Sequence, residues 1–179
     1  MEKRRCGKSG IDISSLGIGC WSFGGGDYWG PQDQRDVNAV IQTALDCGIN
    51  YFDTAEVYND GHSEESLGKA LMGRRHEAVI GTKVSPENTK LSVLRKHCEA
   101  SLRRLQTDYI DIYMVHWPIP NHKQVEDAFA TLMELQSEGK SVPLESVTTA
   151  CSSYPKPWLR EPESMVTNCV ITSCHERLR

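Results

Sequence analysis

The sequence predicts an α/β protein whose parallel sheet is covered by helices, and three observations carry that prediction. Four short apolar runs, at residues 16–19, 49–53, 78–83 and 109–115, read as strands without polar alternation. Stretches with apolar residues at helical spacing lie between them. A new strand starts roughly every 30 residues, the size of a βαβ unit. Strands that are apolar on both sides belong to a parallel sheet buried on both faces.

The elements follow in order. Arg4-Arg5-Cys6, a Gly-Lys-Ser-Gly turn and Ile11-Asp12-Ile13 predict a small hairpin. Leu16-Gly17-Ile18-Gly19 is the first parallel strand, followed by a glycine-rich loop with Trp21, Tyr28 and Trp29. Asp33 is placed to cap a helix that carries Val37, Val40, Ile41, Ala44 and Leu45 on one face and stops at Gly48. The second strand ends at Asp53. Ser63 is placed to cap a short helix with Leu67, Ala70 and Leu71, ended by Gly73. A third strand runs to Lys83, and a helix over residues 89–105 follows with Val93, Leu94, Ser101, Leu102 and Leu105 at core spacing. The fourth strand leads to His116. A last helix, residues 125–138, presents Val125, Phe129, Leu132 and Met133 and stops at Gly139.

Two architectures suit this order: an open doubly wound sheet and a closed (β/α)₈ barrel. Gly17-x-Gly19 starts like a dinucleotide fingerprint, but its third position is Ser22. Composition narrows the function classes. The 179 residues carry a formal charge of −4 and only short basic clusters, which argues against nucleic acid as a partner. No run approaches the ~20 apolar residues of a membrane span. The basic N-terminal residues are not followed by an apolar segment, so no secretory signal is expected. Seven dispersed cysteines suit a reducing cytoplasm better than a disulfide framework.

Asp53, Lys83 and His116 end three successive strands, each behind an apolar pair. Active sites of barrels lie at that C-terminal rim, and ionisable groups behind buried strands are costly unless they meet partners. Each alone has an ordinary explanation: a capping aspartate, a surface lysine, a satisfied buried histidine. Together, at one rim level, they are expected to meet one another and Tyr58, five residues past Asp53. In this arrangement Lys83 lowers the phenol's pKa from about 10, Asp53 neutralises the lysine, and His116 donates to a substrate oxygen. A phenol so tuned is a general acid.

These residues lie in motifs that resemble the aldo-keto reductase family: Gly48-Ile49-Asn50-Tyr51-Phe52-Asp53-Thr54-Ala55-Glu56-Val57-Tyr58, Ser63-Glu64-Glu65-Ser66-Leu67-Gly68, Gly81-Thr82-Lys83-Val84, Ser101-Leu102-Arg103-Arg104-Leu105 and Met114-Val115-His116-Trp117-Pro118. The resemblance implies a parallel (β/α) barrel of TIM type, closed below by the hairpin, that binds NADP(H) and reduces a small-molecule carbonyl, aldehyde or ketone, to an alcohol. It implies Tyr58 as proton donor, Lys83 and Asp53 as its tuning pair, and His116 as the group that orients the carbonyl. It places Gly19, Cys20, Trp21 and Asp53 beside the cofactor and makes Trp21 and Trp117 substrate-pocket walls, although ordinary packing explains either tryptophan as well.

The resemblance covers residues 1–140, about four βα units plus the hairpin, so the barrel is expected to be incomplete. Four strands alone are expected to leave two open sheet edges and an interior facing water or another molecule. Residues 141–179 have no glycine, four of the eight prolines and three cysteines. They are expected to form a divergent, mostly irregular tail, as in a truncated isoform. The family's 2′-phosphate grip and nicotinamide-stacking aromatic have no counterpart there. The second reading is therefore a catalytically deficient isoform acting as a binding or regulatory partner. Cys151, Cys169, Cys174 and His175 lack paired zinc spacing, so no metal is expected.

Overall fold

The computed structural model describes residues 1–7, 9–119 and 122–139. Residues 141–179, including the proposed irregular tail, lie outside the described residues. Strands β1 (Lys3–Arg5) and β2 (Asp12–Ser14) form the antiparallel hairpin in the register Lys3↔Ser14. The parallel sheet holds β3 (Gly17–Gly19), β4 (Tyr51–Asp53), β5 (Val79–Val84) and β6 (Ile112–Val115), in that spatial order. Helices α1 (Gln34–Asp46), α2 (His62–Ala70), α3 (Leu91–Leu105) and α4 (His122–Ser137) alternate with these strands. The order is that of half a (β/α)₈ barrel, each strand beside its predecessor with a helix between.

The cap of α1 is the predicted one: the Asp33 carboxylate accepts the Arg35 N–H at 2.8 Å, satisfying a donor left free at a helix start. Val37, Ile41, Ala44 and Leu45 are buried. Val40, expected on that face, is 45% exposed, and Met133 on α4 is 56% exposed. Both sit at the margin of an apolar stripe, where one step of 100° turns a side chain to water; Ala128 and Leu135 occupy the α4 core instead. Ser63 is not the cap of α2. Gly61 holds that position, and the Ser63 hydroxyl lies inside, donating to the Cys20 carbonyl at 2.6 Å and meeting the Thr54 hydroxyl at 2.9 Å.

The two faces of the sheet have different covers. Phe52, Ile80, Tyr113 and Val115 point into the main core beneath the helices. Tyr51, Val79, Ile112 and Met114 form a second cluster on the concave face, packed by Cys6, Ile11 and Ile13 of the hairpin. These four interior residues face neither water nor another molecule: all are less than a tenth exposed, and the hairpin covers them from below, as the resemblance implied. Among the described residues β3 and β6 each pair along one side only, so the expected open edges remain.

Helices α2 and α3 are locked by a buried ion pair. The Glu64 carboxylate, fully buried, accepts from Arg104 Nε at 2.6 Å and from the Thr82 hydroxyl of β5. The same contact needs Gly68, where an added Cβ would stand 2.6 Å from the Leu105 carbonyl. No described helix is long and apolar enough to cross a membrane.

Candidate active site

The strand tips at the hairpin-free end bring together the four residues singled out from the sequence. Asp53 is the last residue of β4, Lys83 lies next to the end of β5, and His116 follows β6, its N–H bonded to the Val84 carbonyl at 2.9 Å. Side chains two residues apart on a strand share a face. Register then places Gly19, Asp53, Lys83 and His116 on the concave side. Gly19 pairs with Asp53, Asp53 with Gly81, and Lys83 with Met114. The groups therefore sit at different register levels. Lys83 lies two residues beyond the partner of Asp53, and His116 two beyond the partner of Lys83. Barrel strands tilt by about 36° from the axis, and such a stagger brings successive tips to a common rim.

Lys83 is almost fully buried and donates to Asp53 Oδ2 at 2.8 Å and to the Thr54 carbonyl at 2.7 Å. Asp53 also accepts from the Tyr51 hydroxyl at 3.5 Å. The Lys83 ammonium stands over the Tyr58 ring, 5.1 Å from its centroid. Tyr58 faces the His116 ring edge-on at 5.4 Å between centroids.

The phenol is not acidified. Burial first, and the Asp53 carboxylate second, push Tyr58 up to about 12, opposite to the expected shift. Lys83 does not reverse this: it donates to Asp53 and to the Thr54 carbonyl, and its charge sits over the ring face. Tyr58 is thus held as a neutral phenol, a proton source across the physiological range. His116 is neutral as well. Burial, reinforced by Lys83, brings its imidazole down to about 4, and its Nδ1 is buried without a hydrogen-bond partner.

A pH dependence follows. The folded pKa of His116, about 4, lies below the reference of 6.5. The unfolded chain therefore binds the extra proton first, and this group's contribution to stability is complete above about 6.5 and lost as pH falls towards 4. The His116 ring resonances in an NMR titration are expected to move with a midpoint near 4. A midpoint near 6.5 would contradict the burial argument.

Gly19 and its neighbours line the adjacent rim. Space beside Gly19 is open, with nothing within 4 Å of an added Cβ. Cys20 turns its side chain fully into the core, and its N–H bonds the Asp53 carbonyl at 2.8 Å. Trp21 is half exposed, stacked on Tyr28 at 5.4 Å, edge-on to Trp29 at 5.1 Å and 6.1 Å from Tyr58. Trp117 stacks on His116 at 3.8 Å and is exposed.

Two further residues support the segment that carries Tyr58. Glu56 is buried and accepts from the Ser85 N–H at 2.8 Å, from Asn88 at 2.9 Å and from His97 Nδ1 at 2.6 Å. Asn59 donates to the carbonyls of Trp21 and Phe23. Glu56 is flanked by apolar residues in the sequence, and a charge in such a run is the one local signal of a buried anchor. Asn59 gives no such signal, because its partners lie 36 and 38 residues away. Among the described residues no cluster of three or more His, Cys, Asp or Glu is placed to hold a metal ion.

Parallel strands in consecutive order, plugged below and polar at their upper tips, define the class of the (β/α)₈-barrel proteins, four of whose strands lie among the described residues. The chain belongs to the aldo/keto reductase family, whose model matches residues 15–141. It is 38% identical over 150 residues to the aldo-keto reductase YhdN of Bacillus subtilis, covering 78% of this chain and 45% of that protein. It is 36% identical over 162 residues to the NADH-specific methylglyoxal reductase of Escherichia coli, covering 78% and 50%. An aldo-keto reductase from Klebsiella pneumoniae, solved in complex with NADPH, superposes with a TM-score of 0.65 at 35% identity, over 79% of this chain and 48% of that one. The chain thus spans about half the length of these relatives.

Proposed function

We propose that this chain carries the chemical end of an NADP(H)-dependent carbonyl reductase acting on an aldehyde or ketone. The observation that carries the reading is the Lys83–Asp53 ion pair at 2.8 Å, with the ammonium over the ring of Tyr58 and that ring facing His116. In this reading Tyr58 is the proton donor. As negative charge develops on the carbonyl oxygen, the Tyr58 hydroxyl gives up its proton to that oxygen. Lys83 over the ring offsets the charge of the tyrosinate left behind, and Asp53 holds the ammonium there. His116 meets the carbonyl oxygen through Nε2, since Nδ1 is buried. A nicotinamide held beside these residues would supply the hydride for the carbonyl carbon.

The residues present fit the nicotinamide end of such a cofactor. The open space at Gly19 admits a flat ring, and the partly exposed Asp53 carboxylate is able to accept from a ribose hydroxyl. Cys20 fixes the turn between Gly19 and Trp21, while Trp21 and Trp117 wall the substrate side. One relative is named NADH-specific and another is solved in complex with NADPH; the reading here is for NADP(H). Residues 1–140 form the oxidoreductase unit in this reading, with 141–179 a divergent tail. Seven dispersed cysteines support a cytoplasmic setting in this reading.

A second reading is favoured by the one-sided pairing of β3 and β6 among the described residues. In it the chain is without turnover and serves as a binding or regulatory partner. Titration of the chain with NADPH, followed by quenching of tryptophan fluorescence, separates the two. Saturable quenching is expected for the reductase; no binding at millimolar cofactor sinks that reading and leaves the second.

A further inference from the structure

We propose that Asn59 is a positioning residue of the site, clasping the loop between β3 and α1 so that the Trp21 wall is fixed against Tyr58. The meaning of that wall for a substrate rests on the carbonyl-reductase reading; the clasp itself does not.

Asn59 directly follows Tyr58 and has φ 51°, Asp60 has φ 53° and Gly61 φ 87°. Three successive left-handed residues turn the chain back on itself, and Asn, Asp and Gly are the types that tolerate this conformation. The turn aims the Asn59 carboxamide at the neighbouring loop. Its Nδ2 donates to the Trp21 carbonyl and to the Phe23 carbonyl, both at 2.8 Å, so both amide protons are spent on one loop. Four residues on, the Ser63 hydroxyl takes the Cys20 carbonyl at 2.6 Å. Three carbonyls of the loop are thus held by side chains of the segment that begins at Tyr58.

Close packing supports the same contact. An added Cβ at Gly26 would meet Asn59 Oδ1 at 3.0 Å, and one at Gly24 would meet the His62 backbone at 2.7 Å. The loop needs such a restraint. Gly24, Gly25, Gly26 and Gly30 all have positive φ, and glycine-rich backbone loses more freedom on ordering than any other. Tyr28 is 75% exposed, so burial alone does not hold its stack on Trp21. A wall ordered in advance spares the ligand the cost of ordering it.

The test uses the full chain with Asn59→Gly, which keeps a left-handed backbone but lacks the carboxamide, and Asn59→Asp, which keeps the shape but faces two carbonyl oxygens with a carboxylate. Near-ultraviolet circular dichroism and acrylamide quenching of tryptophan are read without cofactor or substrate, and Tyr28→Leu marks the part of the signal due to the stack. Both Asn59 variants are expected to lose most of the band that Tyr28→Leu removes and to quench more readily, Asp more than Gly, with the far-ultraviolet spectrum unchanged. Native band and quenching in both variants would overturn the clasp, as would a band that falls only in step with the far-ultraviolet signal. In NADPH-dependent reduction of methylglyoxal, KM is expected to rise with kcat nearly kept. A lost band with KM unmoved would overturn the positioning role. If the native chain reduces nothing, the reductase reading fails, and the spectroscopic arm alone decides the clasp.

Discussion

Tyr58→Phe is expected to lower carbonyl reduction by roughly 10²–10⁴-fold, the contribution typical of a positioned general acid. The phenol is half-buried beside the imidazole of His116 and is held protonated by burial and by Asp53. Removing one oxygen takes away the proton but leaves the ring that packs under Lys83 and near Trp21. Cofactor affinity and thermal stability are therefore expected to stay close to native, and the loss falls on kcat. Steady-state kinetics with NADPH and methylglyoxal check this. Undiminished kcat in the phenylalanine variant would remove Tyr58 from the chemistry, and a raised KM with kcat kept would recast it as a binding group.

Glu64→Ala is expected to cost about 3–5 kcal/mol of stability, the range for breaking a buried ion pair. Glu64 is fully buried, and its loss leaves the Arg104 guanidinium without its short partner and the Thr82 hydroxyl without an acceptor. That is a large share of the ~5–15 kcal/mol that holds a typical domain together. Glu64→Gln, which keeps the shape and one acceptor, is expected to cost less. Urea unfolding measures both as a fall in midpoint at constant slope. A fall worth less than about 1 kcal/mol in the alanine variant would match a solvated surface pair and contradict the lock between α2 and α3.

Much of the fold was legible because period and punctuation agree. The apolar runs of Ile49-Asn50-Tyr51-Phe52 and Ala78-Val79-Ile80, the Asp33 cap and the stop at Gly48 are local signals with local causes. The errors fall where a distant partner decides. Ser63 resembles a cap in the sequence, but its hydroxyl is claimed by Cys20, 43 residues earlier. Val40 and Met133 match the helical period, yet the stripe's edge is set by the neighbouring elements. The resemblance implied that the hairpin closes the sheet from below, but not that Cys6, Ile11 and Ile13 are the residues packed on the concave cluster.

The site divides in the same way. Asp53, Lys83 and His116 were legible because an ionisable residue closing an apolar strand stands out. Their stagger was not, since register is absent from a single chain's spacing. The direction of the Tyr58 shift depended on where the Lys83 ammonium points. Spacing brings the lysine near the phenol, but only geometry shows it bonded to Asp53 and the Thr54 carbonyl, leaving burial to dominate.

Isotope transfer tests the central claim most directly: that these strand tips perform carbonyl reduction in this chain. The chain is incubated with NADPH deuterated at the nicotinamide C4 and with methylglyoxal, and the product is read by mass spectrometry. The predicted result is an alcohol carrying one deuterium on the former carbonyl carbon, lost in Tyr58→Phe. Absence of labelled alcohol at millimolar cofactor, or equal labelling in the phenylalanine variant, would contradict it.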